Sequence, residues 1–114
     1  MEYIDIAEMQ TAFVNTYLKA TGYPIFQEKT FFVNGEMQPE FIALLERNAS
    51  LSHGEKLALA VAKELWTLES EVKIFDLVAV FSPQMLELTF SAYMAWRMGT
   101  KATQAWIAAN QQKS

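Results

Sequence analysis

Four carboxylates in the middle of the chain are the residues best suited to metal chemistry. They are Glu64, Glu69, Glu71 and Asp76. Carboxylate oxygens are the ligands that Mg²⁺ prefers, so a carboxylate-metal enzyme would have to be built here. Only Glu64 and Glu71, seven residues apart, share a helix face if one helix runs that far, and no paired acidic motif accompanies them. The pattern is more typical of an exposed acidic surface, formed by Glu64, Glu69 and Glu71.

Other signals of catalysis are weak. The chain has one histidine, His53, and no cysteine. The side chain of Ser52 diverges from that of its neighbour His53, so the two do not form a nucleophile–base pair; a capping or solvated histidine is the simpler interpretation. The four glycines are isolated from one another, so they build no phosphate-binding loop. We therefore expect no catalytic residues, no metal and no cofactor.

The charge distribution bears on the kind of partner. The 114-residue chain has a net charge of −4. Residues 1–71 contain eleven acids and five bases, a net −6, whereas residues 72–114 contain two acids and four bases, a net +2. Proteins that bind nucleic-acid phosphates normally show a basic balance. The acidic part either keeps the protein soluble or meets a basic protein surface, and the sequence leaves both open.

The most apolar stretch, residues 75–99, raises the question of a membrane. A membrane-spanning helix needs about 20 largely uncharged residues, and Asp76, Glu87 and Arg97 interrupt this one. We expect two short apolar helices buried in protein rather than lipid. Residues 1–6 contain two acids and no base, which does not resemble a signal peptide. Together with the lack of cysteine, this favours a cytoplasmic location.

Residues 92–111 resemble a helix-turn-helix, with a glycine turn at Gly99 between two helical segments. The resemblance implies a nucleic-acid-binding regulator as an alternative function. Thr100 stands where such motifs usually place an apolar residue. The second helix would offer Lys101 and Gln104 but no arginine for reading bases. Nucleic acid is therefore the less favoured partner.

Aromatic residues and methionines are concentrated in the same region. One helical stripe contains Met85, Leu88, Ala92 and Trp96, and a second contains Leu86, Phe90, Tyr93 and Arg97, with Met94 and Met98 beside both. A helix that is apolar around most of its circumference is either central in the fold or shared with another chain. Trp, Tyr, Met and Arg are enriched in interface cores. We expect Tyr93, Trp96, Arg97 and Trp106 to border a surface used for self-association or for a target protein.

The elements that must position these residues are mainly helices. Apolar residues recur every three or four positions from Ile6 onward, the segment Ser52 to Glu55 matches a capping box, and Ser82-Pro83 is a typical helix start. The sequence predicts one all-α domain over residues 1–114, a compact bundle of five or six short helices. In this domain we expect ten residues to be buried: Phe13, Tyr17, Phe41, Leu45, Leu57, Val61, Leu65, Phe75, Leu88 and Ala92.

Two segments leave alternatives open. Residues 25–38 predict a small β-hairpin with a type I′ turn at Asn34-Gly35, or else an extended loop. Residues 72–81 are ambiguous between strand and helix, with helix favoured by the neighbouring helices.

These observations favour a small, acidic, non-enzymatic protein that acts through protein–protein contacts. Proteins of this kind include inhibitors, immunity proteins, phage-encoded anti-defence proteins and assembly partners, which is an analogy of class. The competing hypotheses are the nucleic-acid-binding regulator and, third, the carboxylate-metal enzyme.

Overall fold

Helix boundaries follow short-range hydrogen bonds that the sequence encodes. In a computed structural model, which describes residues 5–111, the Asp5 carboxylate accepts two backbone N–H bonds, of 3.0 and 3.2 Å, and starts the first helix. Ser52 and Glu55 form the reciprocal capping box that their spacing predicts. The Ser82 hydroxyl accepts a backbone N–H at 3.2 Å at the start of another helix. These bonds satisfy donors that the first turn of a helix leaves free.

The described residues form six α-helices and a two-stranded hairpin. In chain order they are α1 (Ile6–Ala20), β1 (Phe32–Val33), β2 (Glu36–Met37), α2 (Pro39–Glu46), α3 (His53–Thr67), α4 (Ile74–Val80), α5 (Pro83–Met98) and α6 (Thr100–Gln111). The all-α class is confirmed, and the ambiguous segment 72–81 forms a helix. No helix in residues 5–111 is long and apolar enough to cross a membrane. Residues 1–4, on which the argument against a signal peptide partly rests, lie outside the described part.

The hairpin is hydrogen-bonded to α1 through the side chain of Asn15. Asn34 and Gly35 both adopt positive φ (52° and 79°), as a type I′ turn requires, and Phe32 pairs with Met37. Asn15 of α1 donates from Nδ2 to the Phe32 carbonyl (2.8 Å) and accepts from the Phe32 N–H (3.2 Å). The Asn15 amide thus pairs with both backbone groups of Phe32, and this attachment supports a hairpin that would be marginal alone.

The core is built around α1, which packs against α3, α5 and α6. Phe13 is fully buried; the Trp96 ring stacks on it at 5.5 Å between centroids, and the Trp106 ring meets it edge-on at 5.1 Å. A second aromatic group lies under the hairpin, where the Phe32 ring packs against Phe41 and Trp66 at 4.8 and 4.5 Å. Aromatic contacts of this kind add to the free energy gained from burial.

The core expectations are mostly correct, with one clear error. Six of the ten expected residues are buried: Phe13, Tyr17, Phe41, Val61, Leu65 and Ala92. Three are half-buried and pack against the core: Leu45, Leu57 and Leu88. The expectation for Phe75 is wrong, because this side chain is 87% exposed. The reason is that α4 contacts the rest of the protein through Leu77 on its opposite side.

We predict that two phenylalanine truncations have opposite consequences for stability. Phe13→Ala should lower the free energy of unfolding by about 3–5 kcal/mol, because it leaves a cavity between two tryptophans. The matched variant Phe75→Ala should change it by less than about 0.5 kcal/mol, because little buried contact is lost. Urea unfolding followed by circular dichroism measures both. A loss at Phe75 comparable to that at Phe13 would contradict the exposed position of Phe75.

Candidate protein-interaction surface

The four residues predicted for an interface occupy different environments. Arg97 is exposed on α5. Trp96 is half-buried against Phe13, and Trp106 is only 8% exposed, with its Nε1–H donating to the Ser91 hydroxyl at 2.8 Å. The tryptophans therefore hold α5 and α6 against α1, and Trp106 presents almost no surface to a partner. The assignment of these four residues to an interface stays a prediction, in which Arg97 is the accessible member.

Tyr93, the remaining member, has an unusual hydroxyl. The residue is half-buried, and its hydroxyl oxygen is buried near the Glu64 carboxylate without a hydrogen bond of standard geometry. Burial raises the pKa of Tyr93 most, and Glu64 raises it further, first as an acceptor for the protonated hydroxyl and then through its negative charge. This side of α5 therefore lies next to the C-terminal half of α3.

Glu64 holds the loop between α3 and α4. Its Oε2 atom accepts the backbone N–H groups of Glu71 and Val72 at 2.7 and 2.8 Å. The loop begins at Leu68, which caps α3 in a left-handed conformation (φ 62°), and the Glu71 carboxylate pairs with Lys63 at 3.0 Å. Of the predicted acidic surface, Glu64 is thus engaged in positioning the loop, whereas Glu69 and Glu71 are exposed.

The structure shows where the residues of the metal and nucleic-acid hypotheses lie. Within residues 5–111, no group of three or more acids or histidines is arranged to hold a metal ion, and His53 is exposed at the first position of α3. Lys101 and Gln104 are exposed on α6, where Lys101 is the one charged residue of the helix. A single cation provides few of the phosphate contacts on which nucleic-acid affinity depends.

The apolar surface of α4 was not expected from the sequence. Within this fully described helix, Leu77 is buried, and the following Phe81 is buried too. The remaining large side chains face outward and include Ile74 at 67% and Phe75 at 87% exposure, together with Val78 and Val80. We call Ile74, Phe75 and Val78 the α4 patch; Val80 lies on another side of the helix, where it lines a shallow depression with Lys56 and Leu57 of α3. Exposed apolar groups that cluster on one element are typical of binding sites.

One sequence signal indicates this exposure in retrospect. The seven residues of α4 make only about two turns, and six of them are apolar around the whole circumference. A helix packed on one side of a small domain covers only one side of itself. Residues on the other side must therefore meet solvent or another molecule.

A second set of apolar side chains is exposed on α5. They are Phe90, Met94 and Met98, at 38%, 58% and 72% exposure. The sequence places these residues on apolar stripes but does not say which stripe faces the core. The buried residues of α5 are Thr89, Ala92 and Ala95, so its small side chains face inward and several of its large ones face outward.

Comparisons with protein families, with curated proteins and with solved structures find no match to this chain. The features of the molecule that bear on its function are the exposed surfaces of α4 and α5 and the groups that position them.

The two buried tyrosine hydroxyls provide a matched test of the region. The hydroxyls of Tyr17 and Thr89 hydrogen-bond to each other at 2.9 Å in the core, whereas the Tyr93 hydroxyl lies near Glu64 without a well-formed hydrogen bond. We predict that Tyr93→Phe leaves the free energy of unfolding unchanged or raises it by up to about 1 kcal/mol, because no well-formed hydrogen bond is lost. Tyr17→Phe should lower it by about 1–3 kcal/mol, because Thr89 is left unpaired. Chemical denaturation of both variants checks the signs, and a loss of stability at Tyr93 would contradict the assignment.

The same tyrosines predict sensitivity to alkaline pH. Burial raises the pKa of both hydroxyls above the ordinary value of about 10. Above about pH 10 the unfolded chain releases these protons while the folded protein keeps them, so the free energy of unfolding falls as pH rises. The Tyr17→Phe/Tyr93→Phe double variant should lose stability less steeply than the wild type between pH 9 and about pH 12. Lysine titration is common to both proteins, so equal slopes would contradict the prediction.

Proposed function

We propose that this protein acts by binding another protein through the α4 patch. The observation that supports the proposal is the position of Phe75, a large aromatic side chain that is 87% exposed at the second position of α4. Burying such a side chain in a partner gains about 1.5–3 kcal/mol. Aromatic residues that enter a partner's pocket commonly dominate the binding energy.

The way α4 is held makes it suitable for binding. Leu77 and Phe81 anchor the helix to the core, and the loop before it is held by Glu64. A preformed helix loses little conformational entropy on binding, so more of the contact energy appears as affinity. The short helix and its outward side chains suit the recognition mode in which an apolar helix face enters a groove.

The surroundings of the patch indicate the chemistry of the partner. Exposed Lys73 precedes Ile74, and exposed Asp76 lies on the side of α4 that faces α3, so one residue of each charge borders the patch. An apolar centre with a charged border is the usual arrangement of a protein interface. The partner we propose has an apolar groove wide enough for Phe75 and Ile74, with an acid and a base at its edge.

The effect on the partner depends on which of the partner's grooves α4 occupies. A small domain that occupies a partner's functional groove acts as an inhibitor, and one that occupies a subunit contact acts as an assembly partner. We place the encounter in the cytoplasm, in keeping with the cysteine-free sequence. The net charge of −4 would speed encounter with a basic partner surface more than it would strengthen the complex.

We predict that the α4 patch forms a cross-link to its partner when a photoreactive residue replaces Phe75. The variant Phe75→p-benzoylphenylalanine, irradiated in cells of the source organism, should give a discrete adduct. The matched control places the same residue at Ile42, which is also an exposed apolar position but lies on α2. Once the partner is purified, Phe75→Asp should weaken binding by about 2 kcal/mol or more, or roughly thirty-fold in Kd.

Two results would overturn the proposal. Identical adducts from positions 75 and 42 would show that cross-linking reports exposure rather than binding. Full-strength binding by a correctly folded Phe75→Asp variant would show that the partner uses another surface.

A further inference from the structure

The exposed side of α5 has an order of residues that is symmetric about its centre. Glu87, Phe90, Met94 and Arg97 are all exposed. Their spacings of three, four and three residues place them on one stripe of the helix. In sequence order the stripe is an acid, an apolar residue, a second apolar residue and a base. We call these four residues the α5 stripe.

This order is self-complementary when two copies of the helix run in opposite directions. Residues equally distant from a two-fold axis lie opposite each other in such a pair. With the axis level with Ala92, Phe90 lies opposite Met94 of the second copy, and Glu87 lies opposite its Arg97. Each contact occurs twice because of the symmetry. Spacings of three and four are also those at which antiparallel helices pack side by side.

Within residues 5–111, the two charges of the stripe have no ion-pair partner. Glu87 and Arg97 are ten residues apart, which is about 15 Å along a helix, so they do not reach each other. Neither forms an ion pair with another residue in the described part of the chain. A second copy supplies both missing partners at once, whereas an unrelated protein would need to carry the same pattern by coincidence.

Flanking residues extend the match. Met98, which is 72% exposed, lies at the margin of the stripe, at the same level as the half-buried Leu86 of the second copy. The symmetric arrangement thus covers the exposed phenylalanine and both exposed methionines of the helix. It also accounts for the large apolar side chains that α5 directs away from its own core.

We propose that the protein forms a two-fold symmetric dimer through antiparallel pairing of α5, with Phe90 against Met94 and Glu87 against Arg97 of the second copy. The proposal concerns α5 and one kind of chain, so it goes beyond the binding function proposed for α4 and does not depend on it. It commits the α5 stripe to self-association and leaves the α4 patch free for a different protein.

The test uses the full chain and reverses one charge at a time. Sedimentation equilibrium gives the dimer dissociation constant of the wild type, of Glu87→Arg and of Arg97→Glu. Each single variant places like charges opposite each other twice per dimer, so we expect the dimer to weaken by about tenfold or more. Glu69→Arg, the same charge change at an exposed site outside the stripe, is the matched control and should dimerise like the wild type.

Rescue distinguishes pairing from a general effect of charge. The double variant Glu87→Arg/Arg97→Glu restores opposite charges and should dimerise to within about threefold of the wild type, since both ion pairs are rebuilt. A mixture of the two single variants should form a heterodimer, because one copy then carries two bases and the other two acids. Circular dichroism of each variant monitors helicity, since charges near helix ends alter helix stability.

Several outcomes would overturn the proposal. The proposal fails if the wild type stays monomeric at millimolar concentration, or if the single variants dimerise like the wild type. It also fails if the folded double variant, or the mixture of single variants, does not recover dimerisation. Phe75→Asp should leave the dimer intact; loss of the dimer there would assign self-association to α4 instead of α5. Failure of the Phe75 cross-linking experiment would reject the α4 proposal without affecting the dimer.

Discussion

The contact of two tryptophans with Phe13 is the interaction on which the arrangement of the helices depends. Trp96 of α5 stacks on the Phe13 ring, and Trp106 of α6 meets the same ring edge-on. Gly99, with φ of 114°, allows α6 to begin directly after α5, a backbone conformation that other residues rarely adopt. One side chain of α1 thus holds two consecutive helices, and it fixes the face that each of them turns toward the core.

The orientation of α5 determines what the protein exposes. Its inward face has small, closely packed side chains: Ala92 is fully buried, and the Thr89 hydroxyl is hydrogen-bonded to Tyr17. Because a helix has only one inward face, Phe90 and Met94 must point outward. On the neighbouring side, Glu64 holds the loop before α4 through two backbone N–H groups, and α4 is therefore presented as an ordered helix. Both surfaces that carry the proposals are consequences of these internal contacts.

The two proposed surfaces differ in the kind of complementarity they require. The α4 patch is mainly apolar and is complementary to an apolar groove, such as one on a different protein. The α5 stripe carries opposite charges at its two ends and is complementary to an antiparallel copy of itself. A dimer through α5 would present two α4 patches, and simultaneous engagement of both by a divalent target would raise the apparent affinity without any new contact.

The sequence by itself determined the elements, because their signals are local. The capping box at Ser52 and the turn at Asn34 act within a few residues of the chain, and helical periodicity correctly placed six of ten expected residues in the core. The exposure of Phe75 and the burial of Trp106 were decided only by the tertiary structure. When a helix is apolar around its whole circumference, its sequence does not show which side faces the core. That side depends on where distant residues such as Phe13 place the neighbouring helices. The surface available to a partner was therefore set by long-range packing.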